Sequence, residues 1–390
     1  MSADLIQKLN SLAVFYNIRQ DPVIKALIKA LEAQKSNAID FNTKYSLFYH
    51  QLLETGYVDD WNEFVYSLAR YDDNIWTRSV AKKEKISDTI NNRVLTELEI
   101  LKELSNLNSD NIIEKDTIKW GSQNKDISIT YQKLTNEIFQ KGFGIWGKYD
   151  AFIYNDNTLS PIPNPPKIDL NSLIGFKYQQ EQIINNTRAF IEGKPANNVL
   201  ITGDRGAGKS STVCGVFNMF KGQIKLIELP LPAIKDINTL IDSLKTIPHR
   251  FIIFIDDLVV DKDNINAFYP LKAALEGSML GKSPNVLIYA TSNRRHLIKE
   301  SFKEREDDVH KSEGLEDTLA LSDRFGLNIL YQNLNKQEYL DLISNLAATH
   351  NIKVTEQLKL DAEKWAIIKA VHSPRTAVQF INNILSGIPI

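Results

Sequence analysis

Two kinds of hydrophobic spacing divide the chain. Up to about residue 140, apolar positions recur every three or four residues. Ile86, Ile90, Val94, Leu98, Leu101, Leu104 and Leu107 form such a stripe over 22 residues, the spacing of one buried helix face. Leu47, Leu52, Trp61, Phe64, Leu68 and Trp76 predict further helices, so residues 1–140 read as mostly helical. Near Gly142–Tyr154 the pattern turns aromatic and β-branched, which predicts a hairpin or short strands.

After residue 170 short unbroken apolar runs alternate with helical stripes. Val199–Ile201, Ile224–Leu229, Phe251–Ile255, Val286–Ala290 and Asn328–Tyr331 are strand candidates. Ser210–Phe220, Ile237–Leu244 and Tyr269–Leu280 are helix candidates between them. That alternation predicts an α/β unit with a five-stranded parallel sheet covered by helices on both faces. Three more helices are expected over 336–349, 356–370 and 374–386. The segment Ser160-Pro-Ile-Pro-Asn-Pro-Pro166 carries four prolines in seven residues, which suit neither a helix nor a central strand. The expected units are therefore 1–160, helical with short strands near 142–154; a proline-rich linker, 161–169; an α/β unit, 170–332; and a helical end, 333–390.

Composition narrows the class. The 390 residues are 43% hydrophobic and 24% charged, a globular balance rather than a disordered one. The net charge is −2 and no basic tail stands out, so strongly electrostatic nucleic-acid binding is not favoured. A single cysteine, Cys214, excludes an intramolecular disulfide and most cysteine metal sites. The first residues lack a basic n-region, and no apolar run approaches the roughly 18 residues of a membrane span. The expectation is a soluble cytoplasmic protein.

The chemistry is concentrated in four places. Gly203-Asp204-Arg205-Gly206-Ala207-Gly208-Lys209-Ser210 fits the phosphate-loop pattern, with Ser211 following. Glycines let backbone N–H groups turn toward phosphate oxygens, the lysine reaches the β- and γ-phosphates, and the Ser210 hydroxyl ligates Mg²⁺. A predicted strand before the loop and a helix after it supply the expected context. The strand Phe251–Ile255 ends in Asp256-Asp257, placing carboxylates at the carboxyl edge of the sheet. Asp256 is the expected Mg²⁺ partner through water, and Asp257 the group that orients or deprotonates the attacking water. Turn or cap chemistry is the plainer alternative for both. Asn293, after the strand Val286–Ala290, is placed to bond the γ-phosphate or its attacking water. Arg324, just before the fifth strand, is placed to reach a neighbouring subunit's phosphate, against a surface ion pair with Asp323. Arg375, behind Ser373-Pro374 at the start of the last helix, is placed to face a nucleotide.

The order of these parts resembles the AAA+ ATPase superfamily, over about residues 170–387. The resemblance implies ATP and Mg²⁺ as cofactors, an adenine pocket at Leu173-Ile174-Gly175, and a helical lid at the end of the chain. It implies roles for Asp257, Asn293, Arg324 and Arg375 in hydrolysis. It also implies a homo-oligomer in which Arg324 acts in trans. More narrowly, Ala196–Leu200, Gly203-Asp-Arg-Gly206, Phe254-Ile-Asp-Asp-Leu258, Leu271-Lys-Ala-Ala-Leu-Glu-Gly277 and Ala290-Thr-Ser-Asn-Arg-Arg-His-Leu297 resemble a bacterial family of AAA+ ATP-binding proteins of unknown function, domain-of-unknown-function family 815. One departure stands out. The superfamily usually shows Asp-Glu at the acidic strand end, and this chain has Asp256-Asp257, as the superfamily's replication initiators do. The shorter acid suits slow turnover.

Three functions follow as expectations: an ATPase that remodels or assembles a protein partner contacted through 1–160, a DNA-linked loader or initiator-like ATPase, and a nucleotide-dependent binding module with negligible hydrolysis. Near-neutral charge favours the first over the second. Asn335-Lys-Gln-Glu338 resembles a guanine-reading motif but ends in Glu, and Asn335 reads better as a helix N-cap. The charged stretch 299–317 reads as a solvated arm. Arg294-Arg295-His296 read equally as a contact to nucleotide, a neighbour or nucleic acid and as a solvated turn, and the six histidines show no metal-ligand spacing.

Overall fold

The computed structural model describes residues 2–34, 38–112, 119–121, 126–127, 131, 133, 136–138, 141–173, 175–259, 268–276, 283–293 and 321–388. The chain forms two compact units, Met1–Tyr149 and Asp150–Ile390.

The first unit is helical. Its longer helices are Pro22–Ala33, Ala38–Thr55, Trp61–Arg70 and Asp88–Ser105. Their starts follow local chemistry. The Asp21 carboxylate accepts from the Val23 N–H at 2.9 Å, with Pro22 in the first turn, where its missing N–H costs nothing. The predicted stripe becomes the buried face of Asp88–Ser105, through Val94, Leu98, Leu101 and Leu104. The same face buries an acid that hydrophobic spacing gives no reason to expect. Glu97 is fully buried and accepts from the N–H groups of Ala13 at 2.8 Å, Val14 at 3.0 Å and Phe15 at 2.9 Å. Arg93, one turn away, pairs with the same carboxylate.

The second unit carries seven strands, not the five expected. They are β1 (Ala151–Asn155), β2 (Thr158–Pro161), β3 (Val199–Gly203), β4 (Ile224–Glu228), β5 (Arg250–Ile255), β6 (Val286–Ser292) and β7 (Leu327–Tyr331). The order across the sheet is β2-β1-β4-β5-β6-β3-β7. All neighbours are parallel except the β1–β2 hairpin. The hairpin turns through Asp156 and Asn157, both at positive φ, as a two-residue turn with the right twist requires. The short strands foreseen near 142–154 therefore belong largely to the α/β sheet: β1 lies beside β4, with Phe152 opposite Ile227.

The prolines also differ from expectation. Pro161 ends β2, an edge strand, where a missing ladder donor is tolerated. Downstream, the Asn218 side-chain amide donates to the carbonyls of Pro166 at 2.9 Å and Ile168 at 3.2 Å. The proline segment thus lies on the α/β unit, and the two units part at Tyr149/Asp150 instead of at the expected linker, 161–169. The five expected strands are present within one to two residues. β5 is flanked by β4 and β6 and buried from Phe251 to Ile255, which is why its sequence is an unbroken apolar run.

The last three helices, Lys336–Thr349, Glu356–Ile368 and Pro374–Leu385, share a core of their own around Tyr339, Leu342, Ile343, Ala362, Ala377 and Phe380. Asn335 is the N-cap expected of it. It accepts from the Glu338 N–H at 2.9 Å, and Glu338 accepts from the Asn335 N–H at 2.8 Å. Phe176 packs against both this core and that of the sheet. Among the described residues no helix is long and apolar enough to cross a membrane.

Candidate functional site

The phosphate loop leaves the carboxyl end of β3 and enters the helix Lys209–Met219. Two glycines are required by contact. A Cβ on Gly203 would sit 1.9 Å from the carbonyl oxygen of Tyr331, which pairs with it across β3 and β7. A Cβ on Gly206 would meet the Cβ of Arg375 at 2.9 Å, and its φ is +81°. The Arg375 N–H donates to the Gly206 carbonyl at 3.2 Å. The start of the last helix is thereby hydrogen-bonded to the loop.

Because β3, β6 and β5 are adjacent, groups far apart in sequence converge. Lys209 is 5% exposed. It donates to the carbonyls of Gly203 at 2.9 Å and Asp204 at 2.8 Å, and to Asn293 Oδ1 at 2.8 Å. The Asn293 amide nitrogen donates to Asp257 Oδ1. The Ser210 hydroxyl donates to Asp256 Oδ1 at 2.6 Å. Burial pushes the Lys209 pKa down, because the charged form loses hydration, and the carboxylates of Asp257, Asp204 and Asp256 oppose the shift. Asp257 has φ +55°, a left-handed conformation that turns the chain off β5.

These residues enclose a cavity of about 670 Å³, lined by Arg205, Gly206, Gly208, Lys209, Ser210, Ser211, Asp256, Asp257, Asn293 and Arg375. Leu173 lines it as well. A small cavity beside it, about 60 Å³, is lined by Leu173, Phe176, Ala207, Thr212 and Tyr331 among others. Its walls are largely apolar and aromatic, the character of a base-binding pocket. The backbone leading to it is held by Gln180, whose amide donates to the carbonyls of Leu173 and Gly175, each at 3.2 Å. Gly175 itself lines a different cavity, which Phe176 also borders. Ile174, Arg294–His296 and the charged stretch 299–317 lie outside the described residues.

Arg324 does not join this group. Its guanidinium pairs with Glu276 and lines a separate cavity of about 620 Å³ with Lys245 and Arg250.

The donor set suits Mg²⁺. A hydroxyl and a carboxylate are hard oxygen ligands, and Mg²⁺ takes one or two such groups together with phosphate oxygens and water. Ser210 and Asp256 would hold it between the loop and β5.

One residue of the site was not foreseen. Thr291, the penultimate residue of β6, is fully buried, and its hydroxyl donates to Asp256 Oδ1. The Thr291 hydroxyl oxygen in turn accepts from the Asp257 N–H at 3.0 Å. The only signal was a hydroxyl residue closing an apolar strand beside Asn293.

Residues 147–388 match the family model described as "Protein of unknown function (DUF815)". The chain belongs to this family. The match begins four residues before the hairpin that opens the α/β unit and runs through the final helix, so it covers nearly the whole of that compact unit. No curated protein matches. Solved structures that match include a Thermotoga maritima RuvB variant, at 16% identity and TM-score 0.38, covering 54% of this chain and 62% of that one. The Thermotoga maritima RuvB Holliday junction branch migration motor matches at 14% identity and TM-score 0.33, covering 56% and 72%. The FIGL-1 AAA domain in complex with ADP matches at 13% and 0.37, covering 51% and 68%. The chain spans less than two thirds of the first RuvB structure it matches.

Proposed function

We propose that the Asp150–Ile390 unit binds ATP with Mg²⁺ and hydrolyses it, and that the cycle remodels or assembles a protein partner contacted through the N-terminal helical unit. The observation that carries the ATPase reading is the pair of links made by one amide. Asn293 accepts from the phosphate-loop lysine and donates to the acid that would handle water. A γ-phosphate entering between them would take the Lys209 ammonium from Asn293. Asp257 would then orient the attacking water, within hydrogen-bond reach of its carboxylate. Lys209 and Arg375 would offset charge developing on the phosphoryl group. Mg²⁺, held by Ser210 and Asp256, would add charge neutralisation there. The three C-terminal helices would act as a lid, since Arg375 meets the loop at Gly206.

Arg324 lies off this cavity, which supports a role on a neighbouring subunit's nucleotide and hence a homo-oligomer. Near-neutral charge supports a protein client. The test is release of phosphate from ATP by the full chain. Lys209→Ala should abolish nucleotide binding, and Asp257→Ala should keep binding and lose turnover. Hydrolysis unchanged in Asp257→Ala would sink the assignment.

A second reading, a nucleotide-gated binding module with negligible hydrolysis, draws support from Asp257. It is a methylene shorter than the usual Glu and is tied to Asn293. ATP retained unhydrolysed on the purified chain would select it.

A further inference from the structure

We propose that Thr291 is a positioning residue for the metal-side and water-side acids together, and that it sets the affinity of the site for Mg²⁺. The inference rests on the ATP–Mg²⁺ reading above. Thr291 is fully buried at the end of β6, beside β5. Its hydroxyl donates to Asp256 Oδ1 and accepts from the Asp257 N–H at 3.0 Å, while its carbonyl accepts from the Leu258 N–H at 2.7 Å. Three consecutive residues of the turn after β5 are thus held by one residue of β6.

The Asp256 bond has a direct consequence. Asp256 Oδ1 accepts from two hydroxyls, Ser210 and Thr291. Ser210 must turn its lone pairs to a metal ion when one binds, and its donation to Asp256 then weakens. Thr291 sits in the sheet and has no such second role. It would keep the carboxylate aimed at the cavity as Ser210 changes partner. The Asp257 bond matters for a different reason. Asp257 lies past the end of β5, outside its ladder, and its N–H finds its acceptor in the Thr291 hydroxyl. Without the Thr291 oxygen that N–H would be left unpaired, and the carboxylate it carries would lose its fixed direction. Valine fills nearly the same space as threonine and removes only the hydroxyl.

The test uses the full chain, a fluorescent ATP analogue and a Mg²⁺ titration, which reads metal affinity without requiring turnover. Thr291→Val should bind the analogue without Mg²⁺ as the natural chain does, but need about 10- to 100-fold more Mg²⁺ for the metal-dependent gain, the cost typical of removing a partner of a metal ligand. Thr291→Ser should restore most of it, because the hydroxyl returns. Should the valine variant fail to fold, Thr291→Ala carries the same expectation. Folded Thr291→Val or Thr291→Ala with unchanged Mg²⁺ dependence would overturn the proposal and leave the ATPase reading standing. So would an analogue whose binding to the natural chain ignores Mg²⁺. A natural chain that binds no nucleotide would overturn the ATPase reading itself.

Discussion

The ammonium of Lys209 donates to the side-chain carbonyl of Asn293 at 2.8 Å, across 84 positions of sequence. The strands they follow, β3 and β6, are sheet neighbours with Thr202 opposite Ser292. The contact joins the residue that would hold phosphate to the residue that holds Asp257. Asn293 is therefore expected to matter in catalysis more than in binding. Asn293→Ala should lower kcat for ATP hydrolysis about 100-fold, or about 2.7 kcal/mol. ATP affinity should change little, as read by equilibrium titration. Equal losses in affinity and turnover would show that Asn293 serves binding alone.

Arg324 pairs with Glu276 and stands apart from Lys209. If it acts on a neighbour, Arg324→Ala should keep ATP binding and lose about 10³-fold in kcat. Specific activity of the natural chain should rise with protein concentration as subunits associate. Sedimentation and phosphate release over one concentration series would check both. Full activity from monomer alone would remove the trans role.

Glu97 is the structural counterpart in the first unit. Its buried carboxylate gathers the N–H groups of Ala13, Val14 and Phe15 with Arg93. Glu97→Ala would leave those donors and the arginine without their acceptor. The expected loss is about 3 kcal/mol, measurable as a lower urea midpoint for this unit's tryptophan fluorescence. Four of the five tryptophans lie in this unit. Nucleotide binding, a property of the other unit, should be unaffected.

His249 gives the α/β unit an acid-sensitive point. It is 7% exposed, and its Nε2 is buried without a hydrogen-bond partner among the described residues. Burial, then the nearby Lys225 cation, lowers its pKa to about 4. Its pKa in the fold lies below the unfolded value of 6.5, so the unfolded chain binds more protons between those values. Stability is therefore lost as pH falls from about 6.5 toward 4. His249→Phe removes the titration. Relative to the natural chain it should gain about 2 kcal/mol on going from pH 8 to pH 5. Thermal unfolding at the two pH values reads the difference, and a constant gap would show that His249 does not titrate in this window.

Much of the site was legible from local pattern. The loop Gly203–Ser210 and the acids after Phe251–Ile255 are contiguous motifs, and the apolar runs around them are unbroken because central parallel strands are buried on both faces. Glu97 and Thr291 were not legible. Each is a polar residue at the edge of an apolar pattern, and its role depends on donors 34 to 84 positions away. Strands near 142–154 were foreseen, which covers β1 but not β2, and they were assigned to the wrong unit. Local propensity makes a strand, and only a partner says which sheet takes it.

The sequence by itself determined that Lys209 and Ser210 open a helix after a glycine loop and that Asp256 and Asp257 follow a strand, because glycine spacing and strand-length apolar runs act over a few residues. It determined equally that helices follow at Lys336, Glu356 and Pro374, through their periodicity and caps. The tertiary structure alone decided that β1 and β2 extend the sheet to seven strands, that Arg375 meets Gly206, that Arg324 does not join the cavity, and that Thr291 holds both acids. Those outcomes depend on which strands become neighbours. That choice is made by burial of whole faces and by hydrogen bonds between distant segments, neither of which a stretch of sequence carries within itself.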